Sequence, residues 1–91
     1  MFELRYQGRL CLLSHDALKD MLRHDVPPVF LAEIIREGEE FRDDKSGKGE
    51  EGRMLRQGGF EVFAKLVPSY SRSLDEDVWL IKHVGKRRLN K

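Results

Sequence analysis

Cysteine is nearly absent from this chain: Cys11 stands alone among 91 residues. That excludes an intramolecular disulfide and any cysteine-based zinc site, and it fits a reducing, cytoplasmic setting. Cys11 lies in Leu10-Cys11-Leu12-Leu13, where a buried, inert thiol is the expected state. No apolar run approaches the roughly 20 residues of a membrane span, and Met1-Phe2-Glu3-Leu4-Arg5 has no signal-peptide pattern. Ser46-Gly47-Lys48-Gly49 is glycine-rich but lacks the spacing of a phosphate-binding P-loop. His15 and His24 stand nine positions apart, about two and a half helical turns, too far to share one ion. No metal or other cofactor is therefore expected.

Charge is abundant but unevenly placed. Charged residues make up 36% of the chain and nearly cancel, to a net +1. Residues 33–51 carry eight acids against four bases, whereas residues 52–91 carry nine bases against four acids. Such a basic half suits a polyanion, with the acidic stretch limiting non-specific binding. The same composition also serves solubility alone.

The length predicts one domain over residues 1–91. Phe2 to Tyr6 and, less cleanly, Arg9 to Leu12 alternate around Gln7-Gly8, as a β-hairpin does, with one bulged strand as the alternative. Ser14 is placed to cap a first helix, with Ala17, Leu18, Met21 and Leu22 as its apolar face. Asp16 and Asp20 sit toward its N-terminus and Arg23 and His24 toward its C-terminus, matching the helix dipole. Pro27 stops this helix. Pro28 opens a second one with Val29, Leu31, Ile34 and Ile35 buried, ended by Gly38 as a C′ residue. Residues 42–52 offer no apolar anchor and read as a mobile loop. Arg53–Gln57, Phe60–Val67 and Val78–Val84 read as strands, the last of them central. Pro68 and Gly85 are their stops, Ser69–Asp77 is a second polar loop, and residues 85–91 form a basic tail. The result is an α+β domain of order ββααβββ, with two helices packed on one antiparallel sheet. Leu18, Met21, Leu22, Leu31, Ile34, Ile35, Val62, Ala64, Leu66, Val78 and Leu80 should form the core.

The stretch Ser14 to Val26, the proline-initiated second helix, Ile34-Ile35-Arg36-Glu37-Gly38-Glu39 and the closing strands resemble a family of small, uncharacterised bacterial and archaeal proteins. That family has a first helix of the form sxHAxxRMxxRGI and is grouped with RelE-like and barnase-like ribonuclease toxins. Val26 and Gly38 match the pattern; Asp16 occupies the histidine position, Asp20 the arginine before Met21, and His24-Asp25 the Arg-Gly pair. The resemblance implies a RelE-like or barnase-like fold, metal-independent RNA cleavage, and a small antitoxin-like protein as partner.

In that chemistry a base takes the 2′-hydroxyl proton, cations hold the phosphate and an acid protonates the leaving oxygen. His15 at a helix N-terminus would stay neutral and basic. His15, with Asp16 beside it, is the expected catalytic centre, and Arg72 or Arg56 is the phosphate clamp. Arg56, Lys65, Tyr70, Lys82, Lys86, Arg87 and Arg88 are the expected nucleic-acid contacts, Tyr70 by stacking on a base. Lys82 and His83, adjacent on one strand, should face opposite ways. Two functions stay open: RNA binding, with or without cleavage, and a non-catalytic protein-interaction module of the same fold.

Overall fold

The computed structural model describes residues 3–89. Eight elements follow one another: β1 (Arg5–Tyr6), β2 (Arg9–Leu13), α1 (His15–His24), α2 (Pro28–Glu37), β3 (Glu39–Glu40), β4 (Glu51–Gln57), β5 (Phe60–Ser71) and β6 (Glu76–Arg88). They form a six-stranded sheet in the order β1-β2-β6-β5-β4-β3.

The sheet corrects the expected fold class. It is mixed: β2 runs parallel to β6, with Leu10 opposite Val78 and Leu13 opposite Ile81, and the remaining pairs are antiparallel. The strand order therefore differs from a plain antiparallel sheet carrying two helices. Local patterning could not reveal this, because the parallel pair joins segments almost seventy residues apart and period-2 alternation is blind to direction. The sheet is also curled. β1 and β4 are four strand spacings apart, about 19 Å in a flat sheet, yet the Tyr6 hydroxyl donates to Glu51 at 2.9 Å.

Both helices end and begin where their caps dictate. Ser14 accepts from the Ala17 N–H at 3.0 Å, and α1 closes on Asp25 in the left-handed region, φ 58°. Gly38 does end α2, but with φ −72°, so it is not a left-handed C′ residue. It is a glycine for space: a Cβ there would lie 2.3 Å from the Ile34 carbonyl oxygen and 2.8 Å from that of Met54.

The strands outrun their expected stops. Pro68 lies inside β5, beyond Leu66, the last residue β4 pairs with; an edge segment owes no donor to a neighbour, so proline is tolerated. The loop expected over Ser69–Asp77 shrinks to the turn at 72–75. Gly85 lies within β6, and its missing side chain is filled by the Phe63 ring, which would stand 2.1 Å from an added Cβ. Residues 85–88 are therefore strand rather than tail, and Lys91 lies outside the described residues. Glu51 and Gly52, expected in the loop, begin β4.

The concave face of the sheet holds the main core. Leu31, Ile34 and Ile35 of α2 and Ala17 and Met21 of α1 pack on Val62, Ala64, Leu66, Ile81 and Val84. Leu18, Leu22 and Val29 are exposed, against expectation. The buried stripe of α1 is Ala17, Asp20 and Met21, with His24 half-buried, so the helix is rotated by about 80° at 100° per residue. Leu80 is only half-buried, and Trp79 and Ile81 are the buried residues beside it. Ile81→Ala should cost about 2–5 kcal/mol as a cavity in a closed core, and Leu80→Ala distinctly less; urea melts of the two variants check the order, and a costlier Leu80→Ala would invert the assigned faces.

Candidate functional site

β2 ends at Leu13, but β6 continues for seven residues past their last pair. Its open edge is taken over by α1. The Ser14 N–H bonds the Ile81 carbonyl at 3.0 Å, the Ser14 hydroxyl donates to the Lys82 carbonyl at 3.1 Å, and Asp20 accepts the Val84 N–H at 3.1 Å. A serine and a carboxylate thus supply what a further strand would have supplied.

At the same place β6 carries a bulge. Lys65 of β5 pairs with His83 and Leu66 with Ile81, leaving Lys82 without a partner. The extra residue resets the alternation, so Ile81 and Val84 both enter the concave core while His83 stands beside Lys65 on the convex face. Lys82 Nζ lies 3.9 Å from Glu50, which in turn lies 4.0 Å from Lys65. Lys82 and His83, expected to part company, therefore border one charged cluster; strict alternation fails at a bulge.

The convex face there is hollowed into a cleft of about 360 Å³. Asp20, Arg23 and His24 line it from α1, Asp43 and Lys45 from the loop before β4, Phe63 and Lys65 from β5, and His83 and Gly85 from β6. Five basic side chains face two acids, which suits an oxyanion. Lys65, with 9% of its side chain exposed, is held by Asp43 at 2.9 Å. The Lys65 ammonium keeps the Asp43 carboxyl below its ordinary range against the opposing effect of burial, with lesser help from Ser46 and the Lys45 N–H. The loop that lacks apolar anchors is thus tied by charge instead, and Phe41 before it stacks on Phe63 at 4.6 Å.

Asp20 also meets Arg23 and lies 3.6 Å from His83 Nδ1. Burial alone would raise its pKa; the Val84 N–H, Arg23 and His83 together outweigh that and hold it low. Nδ1 is the imidazole nitrogen turned toward the carboxylate, which leaves Nε2 to face a ligand. His83 is half exposed, and His24 lines the same cleft. Among the described residues no three His, Cys, Asp or Glu side chains gather as metal ligands. Cys11 is half-buried, its thiol pushed up to about 11 by desolvation.

The residues expected from sequence fall into separate groups. His15 and Asp16 are exposed on the first turn of α1 and make no hydrogen bond or ion pair among the described residues. Arg72 sits in the β5–β6 turn; from Lys82, beside the start of α1, to Glu76 is six strand residues, about 20 Å. Tyr70 is near that turn too, bonded to Asp75. Arg56 and Arg87 lie at the opposite end of the sheet, both paired with Glu61 at 3.4 and 2.7 Å. Lys86 and Arg88 flank Phe60 on the concave side, 4.7 and 5.9 Å from its ring centre. Only Lys65 lines the cleft, with Lys82 at its border. His83, His24, Asp20 and Arg23 were missed as site residues. One signal was available: Ala17, Asp20, Met21 and His24 share a helical face at i, i+3, i+4 and i+7, so an acid and a histidine occupy an otherwise buried stripe.

No protein-family model, curated protein or solved structure matches the chain, and nothing in these comparisons links it to RelE-like or barnase-like ribonucleases.

Asp20 should govern acid stability. Its folded pKa lies below the ordinary 3.8, so its contribution is complete above about 3.8 and is lost as pH falls through the lower folded value. Asp20→Asn should cost about 1.5–3 kcal/mol at pH 7, as for hydrogen bonds to a charged group, and the gap from wild type should narrow toward pH 3. Urea melts at both pH values test this; a gap that stays constant would remove Asp20 from the acid transition.

Proposed function

We propose that the protein cleaves RNA without a metal, at the cleft between α1, the bulged β6 and the loop before β4. The observation that carries this reading is the meeting of two imidazoles, His83 and His24, with Asp20 beside the first and Arg23, Lys45 and Lys65 around them. Phosphodiester transesterification needs a base, an acid and cations on the phosphate. His83, with Nδ1 toward Asp20, takes the 2′-hydroxyl proton at Nε2. The 2′ oxygen attacks phosphorus, the bond to the 5′ oxygen breaks, and protonated His24 supplies the proton to that leaving oxygen. Arg23 and Lys45, the exposed cations, carry the phosphate charge, while Lys65, already paired with Asp43, sets the local potential.

The strand leads the nucleic acid onward. His83, Gly85 and Arg87 alternate on the convex face of β6, opposite Lys65, Phe63 and Glu61, so a single strand leaving the cleft passes over Phe63 toward Arg87 and Arg56. The single cysteine fits this activity to a reducing, cytoplasmic compartment. No helix among the described residues is long and apolar enough to cross a membrane.

Single-stranded RNA incubated with the protein and a chelator should yield 2′,3′-cyclic phosphate ends. His83→Ala and His24→Ala should each slow cleavage by about 10²–10⁴-fold, the usual share of a general acid or base. His15→Ala should leave the rate unchanged. Intact RNA with the wild-type protein would end the catalytic reading, and a loss confined to His15→Ala would return the site to the start of α1.

A further inference from the structure

From His83 in the cleft to Arg87 is four residues along β6, about 13 Å at roughly 3.3 Å per residue. There the convex face buries an acid: Glu61 of β5 has only 7% of its side chain exposed. Two guanidinium groups cover it. Arg87, its partner on β6, binds it at 2.7 Å through Nε and again through a terminal nitrogen. Arg56, its partner on β4, lies 3.4 Å away. Both arginine side chains are 57% exposed. The negative charge lies underneath and the positive charges lie outermost, so an approaching anion meets cations first. Glu39, 3.6 Å from Arg56, is 70% exposed, and its charge is screened by water.

The guanidinium groups are also held in place. Arg87 rests 5.4 Å from the centre of the Phe41 ring, and Phe41 stacks on Phe63 in the cleft wall. Little side-chain entropy is left for Arg87 to lose on binding. Among the described residues its second terminal nitrogen has no partner, and Arg56 makes no hydrogen bond. The unspent N–H groups of the pair suit the oxygens of a phosphate. We propose that Arg56 and Arg87, braced by Glu61, form a second phosphate seat that selects single strands of four or more nucleotides. This rests on the reading of the cleft as the site of RNA cleavage. About 13 Å is roughly two nucleotide steps of an extended strand, so one phosphate sits at His83 and the next but one at Arg87. Four nucleotides is the shortest chain with internal phosphates two steps apart. A dinucleotide, with one phosphate, engages the cleft alone.

Oligodeoxythymidylates lack the 2′-hydroxyl that this cleavage needs, so they report binding without reaction. By fluorescence anisotropy, a chain of six nucleotides should bind the whole protein about tenfold or more tighter than a chain of two, the worth of one hydrogen-bonded charge. Arg87→Gln should remove most of that advantage and lower the slope of log K against log salt for the long chain by about 0.7. Arg87→Lys keeps the charge without the fork, and should weaken the long chain while the slope stays. Both variants should hold the short chain as wild type does, which shows an intact cleft. Arg36→Gln, at an exposed cation of α2, should change nothing. Equal affinity for the two lengths overturns the seat, as does an Arg87→Gln loss no larger than that of Arg36→Gln. Cleavage separates the two readings. If RNA of two and of six nucleotides is cut with the same kcat/KM, the seat falls and the catalytic cleft stands. If the long chain binds as described while RNA stays intact, the seat stands and the catalytic reading falls.

Discussion

Most of this structure depends on how α1 closes the edge of β6. A parallel neighbour that ends at Leu13 leaves β6 with unpaired backbone groups in the middle of the molecule. Buried peptide groups without partners cost about as much as a lost hydrogen bond each. Ser14 and Asp20 supply the missing bonds to Ile81, Lys82 and Val84, and in doing so they fix the helix against the strand from its cap to its middle turn. The rotation of α1 follows. Asp20 must face the strand, so Ala17 and Met21 enter the core with it, and Leu18 and Leu22 turn outward.

The two faces of the sheet solve different problems. The concave face is apolar and gains by hydrophobic burial. The convex face has no helix to cover it and is closed by a loop with little apolar material. Phe41 stacks on Phe63 over Gly85, and beyond them the cover is ionic: Asp43 and Glu50 around Lys65. A buried ammonium is tolerated only when its charge is matched and its hydrogen bonds are made. Glu50 is more buried than Asp43 and leaves one oxygen without a hydrogen bond, so the cluster is held together by field more than by geometry. That leaves a polar, cation-rich hollow where an apolar cover would have sealed the sheet.

The readable part of the sequence was the part with local causes. The Gln7-Gly8 turn, the Ser14 cap, the proline-started second helix and the central position of Val78–Val84 all follow from backbone chemistry within a few residues. What failed depended on distant partners. The parallel pairing of β2 with β6 needs residues 10 and 78 together. Pro68 and Gly85 read as stops because their neighbours in the sheet were unknown: one lies on an edge, the other beneath Phe63. The loop at 42–50 looked unanchored because anchors were sought among apolar side chains, whereas its ties are carboxylates to Lys65. The cleft was the least legible part. His15 drew attention by its place at a helix start, but among the described residues its side chain has no hydrogen-bond or ion-pair partner.

The bulge at Lys82 connects these observations to function. Without it, His83 would fall on the concave face, beneath α1 and among the apolar side chains of Val62 and Ala64. The extra residue turns His83 out beside Lys65 and draws Val84 inward, so that its N–H meets Asp20 on the strand's open edge. One insertion therefore serves both the core, by keeping Ile81 and Val84 buried three positions apart, and the cleft, by setting an imidazole 3.6 Å from a buried carboxylate. A strand of thirteen residues needs no bulge to pair with a straight partner. Its presence where β2 hands over to α1 joins a change of strand neighbour to a concentration of titratable side chains, and bulges recur where a strand must re-aim a side chain toward a site.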